Sequence, residues 1–208
     1  MKKRITLLCL FALIFLLILS GCQQIPDYAL DNAPTLTPTK PVITLQKLRE
    51  RPLQLPTLPR GADCPTTSVH RFGQRIVMGS GPIYVVIETI QTAAQPAILQ
   101  LRRFDPHDAN ASALKDPEWR PAKALWFADT SKYQGIGLVR GRQLDGSAVV
   151  LFDYDLSKDL ELPEFTHTPE EINRPSYIRI NQQSPGCYGL QIDGSNFTDV
   201  IIFQVKNV

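Results

Sequence analysis

Cys187-Tyr188-Gly189-Leu190-Gln191-Ile192-Asp193-Gly194-Ser195, followed by Asn196-Phe197 and Thr198-Asp199-Val200-Ile201-Ile202-Phe203-Gln204-Val205, decides the fold class of this 208-residue chain. Tyr188, Leu190 and Ile192 alternate with Gly189, Gln191 and Asp193, the period of a strand with one buried face. Asp193-Gly194 offers the positive φ values that tight hairpin turns use, so residues 187–192 and 198–205 read as a hairpin. The same turn chemistry recurs in Leu144-Asp145-Gly146-Ser147, between runs at 135–143 and 147–154.

Working outward, further short β-rich runs fall at 82–90, 97–104, 122–127 and 176–181, separated by Gly, Pro, Asn and Asp. Many short strands of period two predict an antiparallel all-β sandwich over residues 63–208. The helical candidate is short, at 168–173, where Thr168-Pro169-Glu170-Glu171 reads as a cap, a first-turn proline and first-turn acids.

Upstream, residues 23–62 hold seven prolines, at 26, 34, 38, 41, 52, 56 and 59, with no sustained apolar period. Such a stretch reads as a linker without a core of its own, spanning ~120 Å when fully extended. Lys47, Arg49, Arg51 and Arg60 give its distal part a mild basic bias, read as a solvated charged segment interrupted by Glu50.

The first residues have a different character. Met1-Lys2-Lys3-Arg4 is basic, and residues 5–19 form an apolar run of signal-peptide rather than membrane-spanning length. The run ends in Leu19-Ser20-Gly21-Cys22, which resembles the lipobox of bacterial lipoproteins. That resemblance implies cleavage after residue 21, acylation of Cys22 (diacylglyceryl and palmitate), and anchoring of residues 22–62 to a membrane on its extracytoplasmic face. Two acyl chains suffice for stable anchoring. Gln23 and Gln24 carry no acid, so the inner-membrane retention signal used by some bacteria is missing, and an outer membrane is the expected site where the host has one.

Of four cysteines, Cys9 belongs to the leader and Cys22 to the lipid, leaving Cys64 and Cys187. An even pair in an oxidising compartment reads most simply as one disulfide, the alternative being two buried free thiols. Neither has a second Cys or His at metal-ligand spacing.

Cys64-Pro65-Thr66-Thr67, Gly81-Pro82-Ile83-Tyr84, Lys123-Ala124-Leu125-Trp126, Gly141-Arg142-Gln143-Leu144-Asp145-Gly146, Pro175-Ser176, Gly186-Cys187-Tyr188 and Ile201-Ile202-Phe203-Gln204-Val205 follow in order. Together they resemble uncharacterised extracytoplasmic domains of immunoglobulin-like build. The resemblance implies a sandwich, supports a Cys64–Cys187 bridge, and carries no activity. An immunoglobulin-type core also wants a buried Trp near its bridge, and Trp126 is the better candidate than Trp119.

The chemistry of the chain is narrowed mainly by exclusion. It holds 22 Lys and Arg, three of them in the first four residues, against 20 Asp and Glu, so the remainder is near neutral and lacks a nucleic-acid footprint. Neither a P-loop nor a dinucleotide fingerprint is present, and Gly79-Ser80-Gly81 has the wrong spacing for a nucleophile elbow. The sequence assigns no catalytic residue; a hydrolase would need Ser80, His107 and acidic groups to converge. Oxygen-bearing side chains from Asp153 through Asp155, Ser157, Asp159 and Glu161 to Glu164 follow the spacing of a twelve-residue calcium loop. Lys158 replaces its turn glycine, so Asp153, Asp155, Ser157, Asp159 and Glu164 stand as a candidate calcium set against a plain acidic loop. Tyr133, Tyr154, Phe165 and Tyr177, with Arg102, Arg103, Arg140 and Arg142, are candidates for an exposed recognition face. The expectation is a lipid-anchored, non-catalytic binding or scaffolding module for an envelope or extracellular partner, with calcium binding or hydrolysis as alternatives.

Overall fold

The computed structural model describes residues 43–88, 90, 97–101, 118–165 and 174–207, within a compact unit spanning Val42–Val208. Residues 1–21, Cys22, Arg102, Arg103, His107 and the expected helix at 168–173 lie outside the described residues.

The architecture is an all-β sandwich. One sheet has the order β3 (Ile83–Ile87), β5 (Trp119–Ala128), β9 (Arg174–Asn181), β7 (Leu151–Phe152). The other has β4 (Ile98–Leu101), β11 (Thr198–Asn207), β10 (Gly186–Asp193), β6 (Gly137–Gln143), β8 (Asp159–Leu162). All pairings within these sheets are antiparallel except β11 with β4. With β3, β5, β9 and β7 as A, B, E and D, and β6, β10 and β11 as C, F and G, the order is immunoglobulin-like. A separate hairpin, β1 (His70–Phe72) with β2 (Arg75–Val77), precedes the first sheet.

Alternation builds the core between the sheets. Ala122, Ala124 and Trp126 of β5, Ile178 and Ile180 of β9, Tyr188, Leu190 and Ile192 of β10, and Ile201, Phe203 and Val205 of β11 belong to one buried cluster. Trp126 is fully buried, and its indole N–H donates to Ser176 Oγ at 2.8 Å.

Three expectations are corrected. The first concerns the linker, because residues 43–62 are part of the domain. Thr44 caps a short helix, α1 (Leu45–Arg49), Leu48 is completely buried, and Leu55 and Leu58 pack with Cys64, Leu144, Cys187, Val200 and Ile202 in a second apolar cluster. This strap covers the outer side of the β10–β11 sheet, so β10 is buried on both faces and its alternation does not separate core from solvent. Gly189 permits the close approach: a Cβ there would sit 2.9 Å from a Leu144 methyl and 3.1 Å from one of Leu55. Nor are the strap's arginines simply solvated. Arg49 pairs with Asp159 at 2.9 Å and also with Glu161, and Arg51 reaches the β10–β11 turn.

The second correction concerns the bridge. Cys64 and Cys187 are joined, with Cα atoms 5.4 Å apart. The bridge nevertheless lies in the strap-side cluster, while Trp126 belongs to the inter-sheet core. An immunoglobulin-type Trp against its disulfide is therefore not the arrangement here.

The third concerns the turns. The β10–β11 hairpin forms, with Asp193 opposite Thr198, whereas the Asp145-Gly146 turn closes only a short antiparallel contact, Gln143 N–H donating to Ala148 O, before β6 and β7 part into different sheets. Gly146 and Gly194 are not among the positive-φ glycines. They provide clearance instead: a Cβ at Gly194 would lie 2.1 Å from the Phe197 ring, and one at Gly146 2.3 Å from Gln143 Oε1.

Candidate functional site

The antiparallel register of β6 and β10 sets the β5–β6 loop and the β10–β11 turn at one end of the sandwich, with the β6–β7 and β9–β10 turns at the other. At the first end these segments meet the β2–β3 connection around a cleft of about 300 Å³. Ser80, Gly81, Pro82, Tyr84, Lys132, Asn196 and Phe197 line it.

Each wall is held from behind. Ser80 donates its backbone N–H to Asp199 Oδ2 at 2.7 Å and its hydroxyl to Oδ1 at 2.6 Å. Gly81 has φ +88°, which favours glycine, and a Cβ there would lie 2.5 Å from Tyr84 Oη. Tyr84 is packed on its far side by Phe72, with ring centroids 4.5 Å apart, and by His70 at 5.6 Å.

The second wall is organised by Asp129. Its carboxylate accepts the Lys132 ammonium at 2.8 Å, the Ser131 hydroxyl at 2.5 Å and the Ser131 N–H at 3.2 Å. These interactions, Lys132 foremost, hold the Asp129 carboxyl below the usual aspartate range, and the same pair raises Lys132. Asp129 N–H donates to Pro82 O at 2.9 Å, joining this loop to the first wall.

The third wall is the β10–β11 turn. Arg51 of the strap donates to Gly194 O at 2.7 Å, Ser195 O at 3.1 Å and Phe197 O at 3.3 Å. Tyr133 accepts from Ser195 N–H at 2.9 Å, donates to Ile136 O, and meets the Phe197 ring edge-on at 5.0 Å. Phe197 thus stands between Tyr133 and the cleft opening, in a position that the strap and the β5–β6 loop both determine.

The structure distributes the sequence candidates differently. Asp153 accepts Arg174 Nη2 at 2.6 Å and Tyr177 N–H at 2.9 Å on the first sheet, whereas Asp159 is bound by Arg49 on the second. Among the described residues no three His, Cys, Asp or Glu side chains converge as a metal site. Asp153, Asp155, Ser157, Asp159 and Glu164 therefore close no calcium shell: the chain crosses from β7 to β8, in different sheets, within that segment. Ser80 Oγ is given to a carboxylate rather than to a histidine base. Tyr133 and Phe165 are buried, while Tyr154 is 61% exposed and meets Tyr177 at 5.3 Å. Arg140 and Arg142 do not line a free basic face, since both bind strap carbonyls.

Tyr84, Lys132, Asn196 and the positioning residue Arg51 are absent from the sequence-derived candidates. The visible signal was Gly79-Ser80-Gly81-Pro82 before a strand, a close-approach pattern whose partners lie about 50 and 115 residues away in sequence. At the opposite end, Arg60, Gln143, Asp145, Ser147, Gln183 and Ser184 border a more polar depression of about 500 Å³. Two of its groups are occupied internally, Gln143 by Pro185 O and Ala148 N–H and Asp145 by Cys187 N–H.

No family model, curated protein or solved structure matches this chain.

Proposed function

We infer that the protein is a membrane-anchored extracytoplasmic lipoprotein, lipidated at Cys22, whose β-sandwich is a non-catalytic binding module. The observation that carries the binding reading is the loop-end cleft. Three segments distant in sequence meet there, each braced by bonds from behind, and aromatic, amide, hydroxyl and ammonium groups face a common opening. Binding surfaces formed by loops on a rigid sandwich are a general use of this architecture. The Cys64–Cys187 disulfide supports the location, because such bonds persist in oxidising compartments. The lipobox supports the anchor, and placement in an outer membrane follows where the host has one. The partner is an envelope or extracellular component, and no nucleic acid is involved.

Photo-crosslinking in growing cells tests this reading. A photoreactive phenylalanine analogue at Asn196 should yield a discrete adduct, and the same analogue at Ser147, on the opposite end, should not. Equal labelling from both positions, or none from Asn196, contradicts it.

A further inference from the structure

We propose that the entry segment of the strap, residues 44–51, is a clamp that regulates the loop-end cleft: docked, it pins the β10–β11 turn, and released, it frees Asn196 and Phe197 from their places in the cleft wall. This rests on the reading of the cleft as the binding site and adds how that site is controlled.

The turn is fastened to the clamp in two ways. Arg51 donates to three of its carbonyls, on Gly194, Ser195 and Phe197, and Arg140 joins Arg51 O to the Asp193 carboxylate where the turn begins. Its other contacts include Tyr133, which accepts Ser195 N–H and meets the Phe197 ring, and its own bond from Gly194 N–H to Phe197 O at 3.0 Å. Asn196 and Phe197 line the cleft, so withdrawal of Arg51 acts on the cleft wall directly.

The two ends of the strap are held unequally. Beyond Pro52, Leu55 and Leu58 pack in the second apolar cluster, Leu58 N–H donates to Leu144 O at 2.7 Å, and the Cys64–Cys187 bond closes that end covalently. Residues 44–51 hold one completely buried side chain, Leu48, on a five-residue helix too short to be stable by itself. Their ion pairs, Arg49 with Asp159 and with Glu161, join partly exposed side chains, and such pairs hold weakly and are screened by salt. Segments with few buried contacts open locally, without unfolding of the whole. The clamp therefore opens from residue 44 toward Pro52, while the covalent end keeps the strap in place for reclosure. The chain enters the domain here, so a pull on the preceding residues reaches the clamp first.

The test is amide hydrogen exchange of the full chain in dodecyl maltoside micelles, read by NMR under conditions where exchange follows the opening equilibrium. Leu48, Glu50 and Arg51 N–H, bonded to Thr44 O, Gln46 O and Leu48 O, report on the clamp, and Gly194 and Ser195 N–H report on the turn. In the unsubstituted chain both sets should show one opening equilibrium, ahead of β5 and β9. Arg49 is not among the residues that bond the turn or line the cleft. Arg49→Gln should nevertheless raise opening of clamp and turn by a common factor of about five, the worth of partly exposed ion pairs. Leu48→Ala should raise both about thirtyfold, as loss of a buried leucine side chain implies. Faster clamp amides with Gly194 and Ser195 unmoved overturn the proposal. So do clamp amides that neither substitution speeds, clamp amides that open only together with β5 and β9, and a turn that opens more often than the clamp in the unsubstituted chain. Uncoupled exchange beside a discrete Asn196 adduct sinks the clamp and leaves the cleft as a binding site. Coupled exchange with no Asn196 adduct sinks the cleft reading, and the regulation with it.

Discussion

Arg140 Nη2 lies 2.7 Å from Asp193 Oδ2, and Asp193 is completely buried. Gln191 Nε2 and the Thr198 hydroxyl bind the same carboxylate, and Arg51 approaches it at 3.9 Å. Arg140 Nη1 donates to Arg51 O at 2.8 Å. One carboxylate thus joins β6, the β10–β11 hairpin and the strap. Because removal of one member of a buried pair strands the other, Arg140→Ala should destabilise the protein by about 3–5 kcal/mol. Urea unfolding checks this; a loss below about 1 kcal/mol would mean that the pair is not the organising contact.

The disulfide closes a loop with sequence separation 123. Replacing Cys64 and Cys187 together by Ala should lower stability by about 4–5 kcal/mol on chain-entropy grounds. The strap should then exchange its amide hydrogens ahead of β5 and β9. Simultaneous exchange of strap and core in the variant would show that the non-covalent contacts alone make the strap part of the cooperative unit.

Gly194→Ala introduces a methyl 2.1 Å from the Phe197 ring. The ring must leave its edge-on contact with Tyr133, at a cost of about 1–3 kcal/mol from overpacking. Near-ultraviolet circular dichroism should change with the secondary-structure spectrum intact.

Acid should loosen the cleft from the Asp129 side. The Asp129 carboxyl is held below its usual value by the Lys132 and Ser131 hydrogen bonds. A carboxyl lowered in the folded state stabilises fully above its unfolded pKa and loses that contribution as pH falls through the folded one. Carbon-13 titration should place the Asp129 midpoint below about 3.8, with residues 129–133 unchanged from neutrality down to pH 5. A midpoint at or above the ordinary aspartate value contradicts the bonded geometry.

Much of the sandwich is legible in local sequence because burial on one face imposes period two, as in β5, where Ala122, Ala124 and Trp126 face inward. Legibility fails where another segment covers the second face. Gly189, Gln191 and Asp193 have the pattern of a solvated side, yet all are buried, because the strap lies over them and bonds Gln191 from more than 130 residues away, while Arg140 pairs with Asp193. The strap itself is hidden by composition: its prolines suit an extended chain, and extended chain is what lies on the sheet. In the sequence β8 has the look of an acidic loop, because Asp159 and Glu161 look solvated until Arg49 is placed opposite them. The cleft is the least legible feature, since its chemistry depends on Tyr84, Lys132 and Asn196 meeting across three loops. The calcium pattern shows the reverse error, in which regular spacing in the chain spreads over two sheets in space.

The proposed anchoring by lipid at Cys22 is measured directly by intact mass spectrometry of the chain recovered from membranes. The expected species begins at Cys22 and carries acyl chains, and Cys22→Ser should abolish both the added mass and the membrane association. A chain that retains residues 1–21, or one that begins at Cys22 without lipid and stays in solution, would contradict the anchored reading.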